Sequence, residues 1–563
     1  MITTTLNRFE IKVSDTIKEI QSLNLVERLF KKDHTIWSDN PEEISNRLGW
    51  LDSPEFSLLK IDEIQTFVNE VKSAGLKKAL LLGMGGSSLA PEVFSLVFGT
   101  KSGYLSLGVL DSTDPEAVLE YAQKFPPEET LYIVSTKSGG TVETFSFMKY
   151  FFNLTIDVMG KEKAGSHFIA ITDPGSGLES KAKELNFRKI FLNDPNIGGR
   201  YSVLSLFGMV PAALLGIDIK KLLERAKEAL SHSKTKSLKN LNDNIGFSLG
   251  AVFGTLANEG IDKLTFILSP AISSLSSWIE QLVAESSGKN GKGILPVVDE
   301  KLESPDHYSS DRCFVSIRLK DDNTFSKEIN NLKEAGFPLI EITLNDEYDL
   351  GKEFLFWEIA TAIACWRIEV QPFDQPNVES AKVQARKVVK AYLEEGKLPE
   401  LEAALEEDNI KIYSNLSGST PNDFLTQFVS KAEEGKSYVS IHAYMKPDIK
   451  REQIFREFQE AIRKKTKTAV TLGYGPRFLH STGQLHKGDA GNGLFIQFLS
   501  EVKKDAGIPD EAGYEKASMT FGVLRNAQAL GDRQALLDNN RSVITFELKG
   551  DSSEGLLKLI NSI

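Results

Sequence analysis

Two short strings rich in glycine and hydroxyl residues are the first places in this chain where chemistry could be done. Gly83-Met84-Gly85-Gly86-Ser87-Ser88 follows a short apolar run and precedes a helix-forming one. Glycines let a backbone approach an oxyanion, and the free amides and dipole of a helix start stabilise negative charge there. Ser135-Thr136-Lys137-Ser138-Gly139-Gly140-Thr141-Val142-Glu143-Thr144 repeats the arrangement with hydroxyls and a lysine added. A phosphate dianion could accept hydrogen bonds from those hydroxyls and amides together. Each string also has a purely structural reading, as a tight strand-to-helix turn in the first case and as helix capping by Thr141 in the second.

Other chemistries fit less well. Asp111 ends the next apolar run about where a dinucleotide-binding acid would stand, but Ser88 occupies the position of that fingerprint's third glycine. An ATP-binding loop would need a Gly-Lys-Ser/Thr finish that the first string lacks. His480 and His486, six positions apart with Asp489 nearby, are too nonspecific a spacing for a metal site. His34, His167, His232 and His442 have contexts that suit packing or surface roles. Cys313 and Cys365, the only cysteines, lie in separate apolar runs, so neither a disulfide framework nor a metal cluster is expected, and a reducing, cytoplasmic compartment fits.

The elements that must position these loops read as alternating strand and helix. After a helix at 16–31 and a polar stretch, the pattern predicts helix 61–73, strand 78–82, helix 90–98, strand 105–110, helix 115–122, strand 131–134, helix 142–157, strand 168–172, helix 178–184 and strand 189–192. Uniformly apolar strands joined by helix-length connections argue for a parallel sheet covered on both faces. A helical stretch at 203–231 leads into a second such block, with strands at 264–268, 294–298, 312–318 and 338–341. Its helices are expected at 274–286, 324–335, 352–366 and 380–394. An acidic, loop-like stretch after Leu398 precedes a third α/β portion with strands at 438–443, 468–472, 493–499 and 542–548 and helices at 423–433, 448–464 and 520–539. The expected organisation is an N-terminal arm over 1–55, α/β domains over 56–235 and 236–395, and a C-terminal α/β region over 396–563.

Bulk properties agree with several packed cores. The chain has 563 residues, 41% hydrophobic and 26% charged, which argues against wholesale disorder. A formal charge of -12 opposes wrapping nucleic acid, although it leaves room for a small anion held by local dipoles. The basic patches at 289–293 and 463–467 are too short to track a nucleic-acid backbone. No apolar run reaches the roughly 18 residues needed to cross a bilayer, and Glu10, Asp15 and Glu19 interrupt any signal-like start. A soluble protein is expected.

Five motifs, in order along the chain, make it resemble the glucose-6-phosphate isomerase family: GMGGSSLAP at 83–91, TKSGGTVET at 136–144, IGGRYSVLS at 197–205, QLVAESSGKNGKG at 281–293 and PFDQPNVESAK at 372–382. Residues 400–563 look more like the isomerase half of fusions with transaldolase, although no transaldolase barrel is apparent. The resemblance implies tandem sugar-isomerase domains, that is, open and mostly parallel sheets covered by helices, with the C-terminal α/β portion added. It implies interconversion of glucose 6-phosphate and fructose 6-phosphate by ring opening and proton transfer through a cis-enediolate. No cofactor and no metal are implied, and a homodimer with sites near the subunit boundary is.

Carried over by motif, Gly86, Ser87, Thr136, Lys137, Ser138 and Thr141 would surround the phosphate, with amides and hydroxyls able to bind it without a direct Lys137 ion pair. Glu285 would be the base that shuttles the proton, at the end of a mostly apolar helix that opens into Ser286-Ser287-Gly288. Arg200 would face the developing enediolate oxygens. Gln281, one helical turn before Glu285, could position the sugar or the carboxylate. Lys382 would assist ring opening, with Glu379 placed to orient it. The family's histidine-serine-x-glycine-glutamine string is matched only late, at His480-Ser481-Thr482-Gly483-Gln484, so His480 is the preferred ring-opening residue, ahead of His486 and then His307. That choice requires a relocated segment to fill the usual place, and a partner subunit could supply it. Another aldose/ketose phosphate isomerase, such as one acting on mannose 6-phosphate, a non-catalytic sugar-phosphate-binding protein and a nicotinamide enzyme stand as alternatives.

Overall fold

The structure, a computed structural model, describes residues 2–560. Its first sheet has five parallel strands in the order Ser106–Leu110, Lys78–Gly83, Thr130–Ser135, Phe168–Thr172, Lys189–Leu192. The chain therefore winds one way from Lys78–Gly83 to Ser106–Leu110 and the other way from Thr130–Ser135 onward. Ligands of open sheets bind where that direction reverses, outside the carboxyl ends of the strands. Gly83 and Ser135 are paired across this point, so both hydroxyl-rich loops leave the sheet side by side.

The second sheet runs Leu295–Val297, Lys263–Leu268, Arg312–Leu319, Leu339–Leu344 and finally Ile2–Thr5. That last strand is antiparallel to its neighbour, Ile2 opposite Ile342. The expected N-terminal arm thus begins as an edge strand of the second domain's sheet. Its predicted single helix is broken into Glu10–Ser22 and Leu25–Phe30 at Asn24, which takes a left-handed conformation. The stretch expected at 203–231 is likewise two helices, Leu206–Leu214 and Ile219–Ser233.

One buried helix, Ile245–Asn258, has no counterpart in the expected element list. It is apolar on all sides and therefore carries no amphipathic period. Gly246, Gly250 and Gly254 form a stripe along it, and a Cβ at each would stand 2.8, 2.6 and 2.5 Å from Ile359, Ile363 and Arg367 side chains. Those three residues belong to or end the equally buried helix Leu350–Arg367, so the glycines set the close approach of the two helices. Helix Leu275–Ser287, which carries Glu285, packs on the same support through an edge-on contact of Trp278 with Phe354 at 4.8 Å. Such a pair contributes about 1 kcal/mol beyond its buried area. Glu285 therefore stands on a rigid element.

The C-terminal region forms a six-stranded sheet, Leu405–Glu407, Ile410–Tyr413, Ser542–Leu548, Gly493–Ser500, Tyr438–Tyr444, Ala469–Tyr474, with its last four strands parallel. Two of its helical elements reach the preceding domains. The short turn Arg477–His480 presents its histidine, and helix Phe521–Asp538 lies along helix Val378–Glu395. Gly531 permits that approach, since a Cβ there would come within 2.6 Å of the Ala385 backbone nitrogen. Among the described residues no helix is long and apolar enough to cross a membrane.

Candidate active site

Glu285 lies in the last turn of helix Leu275–Ser287, where the apolar face ends and the chain turns at Gly288. Its carboxylate is held from two sides. Nη1 of Arg200 is 3.3 Å from Oε1, and Nε2 of Gln281 donates to Oε2 at 3.2 Å. The same Gln281 amide also donates to the backbone carbonyl of His480 at 2.7 Å. The i, i+4 spacing on one helix face thus aligns the carboxylate and ties it to the C-terminal region.

Arg200 is buried on the single turn Gly199–Tyr201, and its fork is fully engaged. Nε donates to Ser286 Oγ at 2.9 Å, Nη1 to Gln375 Oε1 at 3.1 Å, and Nη2 to the carbonyls of Pro372 and Asp374 at 2.5 and 2.9 Å. A guanidinium so held cannot swing away, which is the condition for stabilising charge as it develops. Gly86 brings the first glycine loop against this turn: a Cβ there would stand 2.0 Å from the Gly199 carbonyl oxygen. Ser87 is buried beside it.

In the second loop Thr136 and Thr141 hydroxyls are 3.0 Å apart, and the Ser138 hydroxyl accepts from the Gly140 amide at 3.3 Å. Lys137 points elsewhere. Its ammonium pairs with Asp173 and donates to the Pro195 carbonyl at 2.8 Å, so the groups this loop could offer an anion are hydroxyls and amides. A cavity of about 450 Å³ opens at this helix start, lined among others by Ser138, Thr141, Glu143, Lys382, His480 and Gln528.

Nε2 of His480 meets Oε1 of Glu143 at 3.0 Å, leaving Nδ1 as the ring nitrogen available to a substrate. Glu143 lies in the first turn of helix Val142–Met159, where the helix dipole favours an anion. Burial pushes its carboxyl up, but the charge and hydrogen bond of His480, together with Lys382, outweigh burial and hold it below the ordinary carboxylate value. Lys382 reaches the cavity from the first half of helix Val378–Glu395, its side chain 44% exposed and 3.8 Å from Glu379. Glu379 pairs more closely with Arg386, at 2.6 Å, than with Lys382.

The other two histidines stand apart from this group. His486 is buried among His442, Phe478 and Phe495, and burial, with His442 and Lys487 beside it, keeps its imidazole well below the usual range. His307 pairs with Glu303 at 2.8 Å on a turn preceding the second sheet's longest strand. Asp111, the acid that a dinucleotide would need, is engaged by Arg477 at 3.0 Å, and Arg477 also binds Glu92. Cys313 and Cys365 are both buried and unpaired.

The sequence reading missed Glu143, Gln375 and Gln528. Glu143 had a local signal, an acid in the first turn after a phosphate-type loop. Gln375 sits inside the PFDQPNVESAK string. Gln528 has none, because its partners, Thr113 and Glu143, lie in a distant segment of the chain.

A model of the family described as phosphoglucose isomerase matches residues 59–298. Over this span the chain resembles the phosphoglucose isomerase family. The family span contains both glycine loops, Arg200, Gln281 and Glu285, and ends before Lys382 and His480. A glucose-6-phosphate isomerase of Mycoplasmopsis pulmonis (strain UAB CTIP) is 28% identical over 428 residues, covering 68% of this chain and 96% of that protein. A probable glucose-6-phosphate isomerase of Methanococcus maripaludis is 29% identical over 383 residues, covering 61% and 84%. Among solved structures, a hypothetical protein of Thermus thermophilus superposes with a TM-score of 0.58 at 24% identity, covering 69% of this chain and all of that one. A glucose-6-phosphate isomerase of Chlamydia trachomatis gives the same TM-score at 16% identity, covering 69% and 88%. Both likenesses are of fold: parallel sheets covered by helices.

Proposed function

We propose that this chain interconverts glucose 6-phosphate and fructose 6-phosphate, with Glu285 as the proton shuttle. The observation that carries the reading is the placement of the Glu285 carboxylate between Arg200 and Gln281, with His480 joined to the same glutamine. The phosphate would lie against Thr136, Ser138, Thr141 and the amides of their loop, with Gly86 and Ser87 shaping the adjoining wall. His480 and Lys382 open the ring, the histidine giving a proton to the ring oxygen as the C1 hydroxyl gives up its own. In the open-chain aldose Glu285 removes the C2 hydrogen and returns it to C1, while one proton passes from O2 to O1. The charge on the oxygens of the cis-enediolate between these steps falls to Arg200. A carboxylate positioned in this way contributes roughly 10²–10⁴-fold to such a transfer.

This reading takes the protein to be a homodimer in a reducing cytoplasm, and keeps the likeness of residues 400–563 to the isomerase portion of transaldolase fusions. Incubation with fructose 6-phosphate in deuterated water tests the reaction. Cofactor-free formation of glucose 6-phosphate with deuterium at C2 is expected. Binding of the sugar phosphate without turnover, or a requirement for a nicotinamide, would reject it.

A further inference from the structure

Gln528 lies on helix Phe521–Asp538, far outside the family-matched span, yet its side chain bridges two residues of the first domain. Its Nε2 donates to Oε1 of Glu143 at 2.6 Å, the oxygen that also faces His480 Nε2. Its Oε1 accepts from the Thr113 hydroxyl at 2.7 Å. The Glu143 carboxylate, an acceptor only, fixes which end of the amide faces it, and the Thr113 hydroxyl is the donor that meets the other end. The bridge is buried: Gln528 is 4% exposed and Thr113 is fully covered. A net of polar contacts along the same helix keeps it there, with Arg525 bound to Asp114 at 2.8 Å and Asp532 bound to Lys487.

We propose that Gln528 is a positioning residue for ring opening, which holds the Glu143 carboxylate in register with His480 through the relay Thr113, Gln528, Glu143, His480. The inference rests on the proposed isomerase reading and assigns part of its machinery to the C-terminal region. The charged groups facing Glu143 are His480 from the Arg477–His480 turn and Lys382 from helix Val378–Glu395, while Gln528 is the uncharged donor from the third side. Buried carboxylates keep their charge when donors point at them. Loss of this donor therefore leaves Glu143 easier to protonate, and a protonated Glu143 no longer orients or stabilises the imidazolium of His480.

The test compares Gln528→Met and Thr113→Val with the unaltered full chain, using fructose 6-phosphate and 5-deoxyfructose 6-phosphate, which lacks the O5 needed to close a ring. For Gln528→Met, kcat/KM on the cyclic substrate should fall roughly tenfold or more, as expected for a lost hydrogen bond to a charge. The acid limb of its pH profile should move up by about one unit, while turnover of the ring-less substrate stays near the unaltered value. Thr113→Val, which leaves the direct donor present but removes the partner that steadies the amide oxygen, should show a smaller shift in the same direction. Equal losses on both substrates, or unchanged pH profiles in both folded variants, would overturn the proposal. If the unaltered chain fails on both sugars, the isomerase reading itself fails.

Discussion

Nε2 of His480 lies 3.0 Å from Oε1 of Glu143 although 337 positions separate the two residues. A helix start beside the first sheet and a turn of the third are brought together by this contact, within one chain. The imidazole that the sequence string HSTGQ suggests for ring opening is thereby held at one nitrogen and left open at the other. His480→Ala should lose roughly 10²-fold or more in kcat on the cyclic sugar phosphate. A ring-less substrate should be processed at near-normal rate. Equal loss on both would place His480 in the proton-transfer step instead.

Glu285→Gln removes the carboxylate while keeping its shape, its contact to Gln281 and much of its bulk. We expect kcat to fall roughly 10³-fold or more with the far-ultraviolet circular dichroism spectrum unchanged. Incorporation of deuterium at C2 should fall in parallel. A well-folded variant with residual activity near that of the unaltered protein would remove the base assignment.

Arg200→Lys keeps the charge and loses the fork. The four hydrogen bonds to Ser286, Gln375, Pro372 and Asp374 cannot all be made by one ammonium. Roughly a hundredfold decrease in kcat is expected, as for removal of one fixed donor from a developing oxyanion. A steady-state comparison of kcat with KM should place most of the loss in kcat.

Gly86→Ala should destabilise by about 1–3 kcal/mol, because the new methyl meets the Gly199 carbonyl oxygen and carbon, at 2.0 and 2.3 Å, and only backbone can move. The displaced turn is the one carrying Arg200, so activity should fall as well. Urea denaturation midpoints together with kcat/KM check both effects.

Glu143 also makes an acid-stability prediction. Its folded-state carboxyl lies below the ordinary value of 4.5, so its stabilising contribution is full above that value and is lost as pH falls through the folded value. The stability difference between the unaltered chain and Glu143→Gln should therefore shrink as pH falls below about 4.5. Urea titrations at several pH values read this directly, and a difference that grew on acidification would contradict it.

The chain's alternation of apolar strands and helix-length connections was legible without coordinates because period and local composition report neighbours a few positions away. Strands Phe168–Thr172, Lys189–Leu192 and Ser542–Leu548 have the bounds expected of them, and both hydroxyl-rich loops fall between a strand and a helix. Where a helix is apolar on every side, as at Ile245–Asn258, that signal vanishes and the element was missed. Motif spacing likewise brought Gln281 and Glu285 onto one helical face.

Other features depend on contacts between segments remote in sequence. Among them are the direction of Lys137 toward Asp173, the joining of Ile2–Thr5 to the second sheet, and the convergence of Glu143, His480 and Gln528. A local pattern cannot encode such partners, because nothing in the periodicity of one segment specifies which face of another will cover it. Residue order was enough to specify a set of loops and helix ends able to hold an anion and a base. The HSTGQ string favours His480 among three histidines, but its place beside them is decided by the packing of the C-terminal sheet against the first domain.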